Sequence, residues 1–199
     1  MRWDRFFDDL EGQLASEWEA ERAALDTEAE RLRLSRVILR ERLSALIGRS
    51  RETPAPSFEV ADGTVLAAEV TGVGADWAAL EGGRSGALIV PFGAITAIGM
   101  PHADVLRSAR PAAGPVSLAE RMTLGFVLRD LVRRRVCIRA HLVHGRMLAG
   151  TIDRAGADHF DIALHEPGTP RRATDVTGHR LVPFSALAWI RLDAGAALS

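Results

Sequence analysis

At 199 residues, 47% hydrophobic and 26% charged, the chain is long enough for one ordinary core or two small ones, and its composition is that of a folded globular protein, not a disordered one. A formal net charge of -1 gives no overall attraction to nucleic acid or to an anionic membrane, and a single cysteine, Cys137, excludes an internal disulfide and any multi-cysteine metal site. No apolar run reaches the roughly 18 to 20 residues of a membrane span, Met1 to Phe7 does not read as a signal peptide, and a lone thiol fits a reducing cytoplasm.

From Trp3 to about Gly48 the pattern predicts helix, either one long helix or two with a bend. Trp3, Phe7, Leu10, Leu14, Trp18, Leu25 and Leu32 recur at a helical period, and no proline intervenes before Pro54. Charge is segregated along this region: residues 1–30 carry ten acids against Arg2, Arg5 and Arg22, whereas residues 31–49 carry six arginines against Glu41. The stripe either packs on the rest of the chain or takes a partner, and its aromatic end makes Trp3, Phe6, Phe7 and Leu10 candidate partner-binding residues.

After Pro54 and Pro56 the signals turn to strand. Phe58 to Val60, Val65 to Val73, Asp76 to Leu80, Ala87 to Val90 and Ile95 to Ile98 read as five short strands, with Asp62-Gly63 as a hairpin turn. Pro101 to Val116 holds three prolines, Pro101, Pro111 and Pro115, and reads as a linker. Ser117-Leu118-Ala119-Glu120 is a capping box that predicts a helix start, with Leu124, Val127, Leu128 and Leu131 on one face and Arg133-Arg134-Arg135 at the end. Val136 to Leu142, Met147 to Ile152, Phe160 to Leu164, Arg180 to Val182 and Leu187 to Leu192 then read as five more strands.

The second set repeats the first. Gly63, Leu66, Ala67, Val70, Gly74, Ala75 and Asp76 reappear 82 positions later as Gly145, Leu148, Ala149, Ile152, Gly156, Ala157 and Asp158. Ile89-Val90-Pro91-Phe92-Gly93-Ala94-Ile95 returns 92 positions later as Leu181-Val182-Pro183-Phe184-Ser185-Ala186-Leu187, the extra length falling within Glu166 to Thr177. A duplicated unit of this size predicts two small domains. The expected class is therefore α+β: a long N-terminal helix plus two tandem helix-then-five-strand small β-barrels. Boundaries follow at 1–29 for the N-terminal helix, 30–100 for the first unit, 101–116 for the linker, 117–192 for the second unit and 193–199 for a flexible tail. Two barrels in one chain can pair edge to edge, which leaves one edge of each free for other partners.

A helix followed by five bent strands resembles the Sm-like fold, including the bacterial Sm-like RNA chaperone type, and more loosely other SH3-like barrels. Val143-His144-Gly145, Leu148, Gly150, Ile152, Asp158, Phe160, Ile162, Leu164 and the stretch from Leu181 to Leu187 carry the resemblance. It implies small barrels that act by binding. The RNA-binding Lys-His pair of the bacterial proteins is replaced here by Pro183-Phe184-Ser185 and Pro91-Phe92-Gly93, and the base-contacting Asn of other Sm proteins by Asp161 and Ala79. The family's RNA pocket is therefore not carried over.

Enzymatic motifs are absent: there is no phosphate-binding glycine loop, no Gly-x-Ser-x-Gly and no His and carboxylate pair at ligand spacing on a helix. His141, His144, His159 and His165 with Cys137 read as barrel-lip residues ahead of a metal site, and no cofactor or small-molecule substrate is expected. Arg133, Arg134, Arg135, Arg139, Arg171 and Arg172 are candidate phosphate contacts, although arginines at a helix C-terminus also complement its exposed carbonyls. All 25 basic residues are Arg, as GC-rich coding produces, so arginine content alone does not signal phosphate binding. Trp77 is either a partner-binding lip residue or core. The leading expectation is a non-enzymatic cytoplasmic adaptor or regulator with a protein partner or self-association. An RNA- or DNA-associated regulator using the Arg-rich second unit is the alternative.

Overall fold

The computed structural model describes residues 2–50, 52–83, 86–110, 118–167 and 171–193, with the side chains of 2–11 and 15 outside the described part. The first helix, α1, spans Arg2–Ser35. It is built mainly from Ala, Glu, Leu and Arg, which lose little side-chain freedom in a helix. Arg36 and Val37 donate to the Arg33 and Leu34 carbonyls and tighten its last turn. The chain divides there into two compact units, Met1–Ile38 and Leu39–Ser199.

The second unit begins with α2, Leu39–Ser44, and continues with β1 (Ser57–Val60), β2 (Val65–Ala67), β3 (Glu69–Val73), β4 (Trp77–Gly82), β5 (Gly86–Pro91) and β6 (Ile95–Gly99). Two helices follow, α3 (His102–Ala109) and α4 (Leu124–Arg134), then β7 (Cys137–Leu142), β8 (Met147–Ala155), β9 (His159–Leu164), β10 (Gly178–Pro183) and β11 (Leu187–Leu192). Apolar alternation decides the inward faces: Phe58 and Val60 are buried on either side of exposed Glu59, as Ile138 and Ala140 are buried along β7. β5 and β10 each end on a proline, and each is followed by one 3-10 turn, Phe92–Ala94 or Phe184–Ala186, before the last strand of its half. No helix among the described residues is long and apolar enough to cross a membrane.

The sheets overturn the expected class. Beyond α1 the fold is mostly β, with eleven strands among the described residues, in a three-stranded sheet, β2-β1-β6, and an eight-stranded sheet, β10-β9-β8-β7-β11-β5-β4-β3. It is not a pair of helix-then-five-strand units. The larger sheet takes strands from both halves because β11 pairs antiparallel with β5, Ile190 opposite Ile89 and Arg191 opposite Leu88. The cores exchange residues across that seam. Trp77, Ala79 and Ile89 of the first half lie in the cluster built on Leu128, Leu131, Ile138 and Ile190, while Ala188 and Trp189 of the second half lie in the cluster built on Leu43, Leu46, Phe58 and Leu80. Each half alone would expose an unpaired edge and an open core, so joining them removes both costs.

Two local expectations also change. The stretch read as a linker contains α3, which packs on α2: Arg42 donates to Ser108 Oγ at 3.0 Å and to the Val105 carbonyl at 3.3 Å. The helix expected from Ser117 starts later. Ser117 lies outside the described residues, Ala119–Arg121 makes a single 3-10 turn, and α4 begins at Leu124 with the Thr123 hydroxyl accepting from the Phe126 amide at 3.4 Å. The first half helps to set that start, because the Asp76 carboxylate accepts the Leu124 amide at 2.7 Å.

The two copies also bend differently. β8 runs unbroken through Gly150 while pairing with β7 on one side and β9 on the other. Gly150 has φ +155°, and a Cβ there would lie 1.9 Å from the Ala163 carbonyl oxygen. The first copy has Ala68 at the equivalent position, and its strand is interrupted there into β2 and β3.

Candidate protein-binding edges

The seam shows what a covered edge looks like in this fold. Leu88, Ile89 and Val90 of β5 and Ala188, Trp189 and Ile190 of β11 are all buried, with Ile89 at 0% exposure. A polar group closes the seam at the first-half turn. Asp62 Oδ1 accepts the Thr64 amide at 2.9 Å, its Oδ2 accepts Trp189 Nε1 at 3.0 Å, and His141 stacks on Trp189 with ring centroids 3.6 Å apart. Burial pushes the Asp62 carboxyl up, but hydrogen bonds from Thr64 and Trp189 and the nearby His141 charge more than offset this and hold it below the usual carboxylate range. Burial, aided by Arg139 and Arg191 and opposed by Asp62, holds His141 below the usual histidine range.

The counterparts of the seam strands have no such cover. β10 is the counterpart of β5, and it pairs with β9 on one side, from Gly178 opposite Leu164 to Pro183 opposite His159, at the end of the sheet. Its His179, Arg180 and Leu181 are exposed. Leu181 occupies the place of Ile89 and is 64% exposed. β6 is the counterpart of β11, and among the described residues it pairs with β1 alone, Ile98 opposite Phe58 and Gly99 opposite Ser57. Beside it runs a groove of about 390 Å³, lined by Leu39, Leu43 and Leu46 at α2, Ile98 and Met100 at β6, and Val105 of α3.

The buried charge of Arg49 is satisfied internally. Arg49 donates to Glu69 Oε1 at 2.8 Å, to Asp104 Oδ2 at 3.1 Å, to the Pro54 carbonyl at 2.9 Å and to the Thr53 hydroxyl, which ties the segment after α2 to β3 and α3. Burial would lower the Arg49 pKa, and the two carboxylates raise it instead. His165 shares a hydrogen bond of 2.8 Å with the Thr151 hydroxyl. No group of three or more His, Cys, Asp or Glu side chains able to hold a metal occurs among the described residues.

The sequence-derived candidates fall in separate places. Arg133 and Arg134 share Asp130 at 3.4 and 3.7 Å, Arg139 pairs with Asp193 at 3.1 Å, and Arg171 pairs with Asp153 at 2.8 Å. Arg135 sits in the left-handed region at φ 52° as the C-cap of α4, and Arg172 is exposed. Four of the six therefore already face an aspartate, which lowers the positive potential they offer to phosphate. Trp77 is 8% exposed and donates from Nε1 to the Met122 carbonyl at 2.9 Å, so it holds the approach to α4 and is not an open lip. The side chains of Trp3, Phe6, Phe7 and Leu10 lie outside the described part. Farther along α1, Leu14, Trp18, Leu25 and Leu32 are exposed.

Comparison with family models, curated proteins and solved structures finds no match to this chain. The candidate edges therefore rest on the internal comparison between the two halves. Sequence reasoning passed over Leu181 and Ile98 as site residues. Their signal was present, since the repeat aligns Leu181 with Ile89 and Ile98 with Ile190, but only pairing shows that one member of each pair is covered and the other is not.

Proposed function

We propose that the protein is a non-enzymatic cytoplasmic binding protein that captures an extended segment along the free edge of β10. The observation that carries this is Leu181: an apolar residue 64% exposed in the middle of a terminal strand, at the position where its counterpart Ile89 is fully buried by a paired strand. Strand addition supplies backbone hydrogen bonds along the edge, and alternate side chains supply selectivity. β10 is short, with His179 and Arg180 beside Leu181, and such charged, brief edges limit indiscriminate pairing. The exposed Leu14, Trp18, Leu25 and Leu32 of α1 offer a second, helical surface for association.

The test is a titration of the isotopically labelled full chain with a peptide of residues 187–192, the strand that covers β5 inside the chain. Binding with shifts concentrated in β10 amides, weakened by Leu181→Arg, is the expected result. An absence of binding at millimolar peptide, or binding that leaves β10 unperturbed, overturns the proposal.

A further inference from the structure

We infer that the occupant of the β10 edge is β6 of a second copy of this chain, so that copies associate head to tail through the same kind of contact that joins the two halves internally. The inference rests on the strand-capture reading and names its partner. Three observations converge on it. First, the chain contains a worked example of the contact: β5 receives β11, with Ile89 opposite Ile190 and Leu88 opposite Arg191. Second, the duplication leaves one receiving strand and one donating strand with one edge each unpaired among the described residues, and these edges are complementary. β10 is the counterpart of β5, and β6 is the counterpart of β11. Transferring the internal register places Leu181 of one copy opposite Ile98 of the next, and Arg180 opposite Gly99. Neither pair sets like charges against each other.

Third, the groove beside β6 is a receptor of the required chemistry. At the seam, Ile89 does not stop at the sheet; it enters the other half's core beside β11, in the cluster that holds Leu128 and Leu131 of α4. The corresponding space beside β6, between β6 and α2, is the open, mainly apolar groove that includes Leu43, Leu46, Ile98 and Met100, with Arg42 and Thr96 also in its lining. Leu181 is the residue the transferred register brings to it. The donor side chain is exposed and the receptor is unfilled within one copy, so both are completed by the same event. The two surfaces differ, which makes the contact heterologous: assembly continues beyond a pair unless a ring closes.

The test compares the full chain with Leu181→Arg, which blocks β10, and Ala97→Arg, which places a charge at an exposed position of β6. Light-scattering mass is followed from low micromolar to near-millimolar concentration, and far-UV circular dichroism checks that both variants fold. The wild-type mass should rise at least twofold, each variant should remain monomeric, and an equimolar mixture should give a dimer that grows no further, because each partner retains one complementary edge. A monomeric wild type at the highest concentration, a mixture that stays monomeric, or a Leu181→Arg chain that assembles like wild type overturns the inference. If Ala97→Arg fails to fold, hydrogen exchange of the wild type decides. Concentration-dependent protection of both β10 and β6 amides supports the contact, and protection of neither overturns it. Binding of the 187–192 peptide to a chain that stays monomeric would reject self-association and leave strand capture standing.

Discussion

Ile89 and Leu181 hold the same position in two copies of one motif, yet one is fully buried and the other is 64% exposed. Their strands have the same ending, a proline followed by a 3-10 turn, and both run between two neighbours in sequence. What separates them is the strand on the far side: β5 has β11, whereas β10 has none among the described residues. Burial of an apolar residue in a sheet is therefore set by the covering of an edge as much as by the strand that carries the residue. The two halves are alike in local chemistry and unlike in completion.

The widest contrast is expected from truncating that pair. Ile89→Ala should cost about 2–5 kcal/mol, because it leaves a cavity at a seam shared by two cores, while Leu181→Ala in dilute monomer should change stability by no more than about 0.5 kcal/mol. Urea unfolding of both variants at low protein concentration measures the difference. Equal losses would show that the two strands do not differ in cover.

The bend positions should separate next. Gly150→Ala puts a Cβ against the Ala163 carbonyl oxygen and should destabilise by about 3 kcal/mol, since backbone on both sides must move. Ala68→Gly, at the interrupted counterpart, should lose about 1–2 kcal/mol, from backbone entropy and one buried methyl group. Thermal melts of the two single variants decide whether the unbroken strand depends on glycine.

A smaller effect is expected at the paired aspartates. Asp76 caps α4 through the Leu124 amide, whereas Asp158 is 89% exposed and pairs with its neighbour His159 at 2.8 Å. Asp76→Ala should cost about 0.5–2 kcal/mol and Asp158→Ala close to nothing, again read from urea midpoints. The asymmetry arises because α4 supplies a helix start to the first-half loop.

The finest distinction is pH dependence at the seam. His141 and Asp62 both bind protons less readily folded than unfolded, so stability is lost as pH falls: for His141 from about 6.5 downward through its lowered value, and for Asp62 from about 4 downward through its own. Above those ranges the stabilisation is fully present. Trp189→Phe keeps a ring for His141 to stack on but removes the donor to Asp62, so the acid loss below about pH 4 should shrink while the His141 step remains. Urea midpoints measured across the acid range for wild type and variant check this.

Much of the strand layout is legible in the sequence. Gly63 and Gly145 mark turns because both adopt positive φ, at 83° and 77°, and the alternation of Phe58, Glu59 and Val60 marks an inward face. The capping box was less reliable, because α4 is started by Thr123 together with Asp76, which lies far away in sequence. Trp77 was ambiguous for the same reason: whether its indole faces solvent depends on the Met122 carbonyl, which only the packed chain brings within 2.9 Å. The exposed apolar edge at Leu181 is only partly marked in β10 itself, by His179 and Arg180 where β5 has Ala87 and Leu88, because the Leu-Val-Pro that follows matches the buried Ile-Val-Pro of β5.

Periodicity, turn residues and prolines act over a few positions, so the chain's own chemistry was enough to place an N-terminal helix and most of the strands and to reveal the duplication, but not the end of α1 at Ser35 or the break at Ala68 that divides Val65 to Val73 into β2 and β3. Sheet order, the mixing of the two cores and the choice of which edges stay open depend on pairings between residues as distant as Leu88 and Arg191. Those pairings are decided by the collective removal of apolar surface and unpaired backbone groups from water, a quantity that no single stretch of sequence carries.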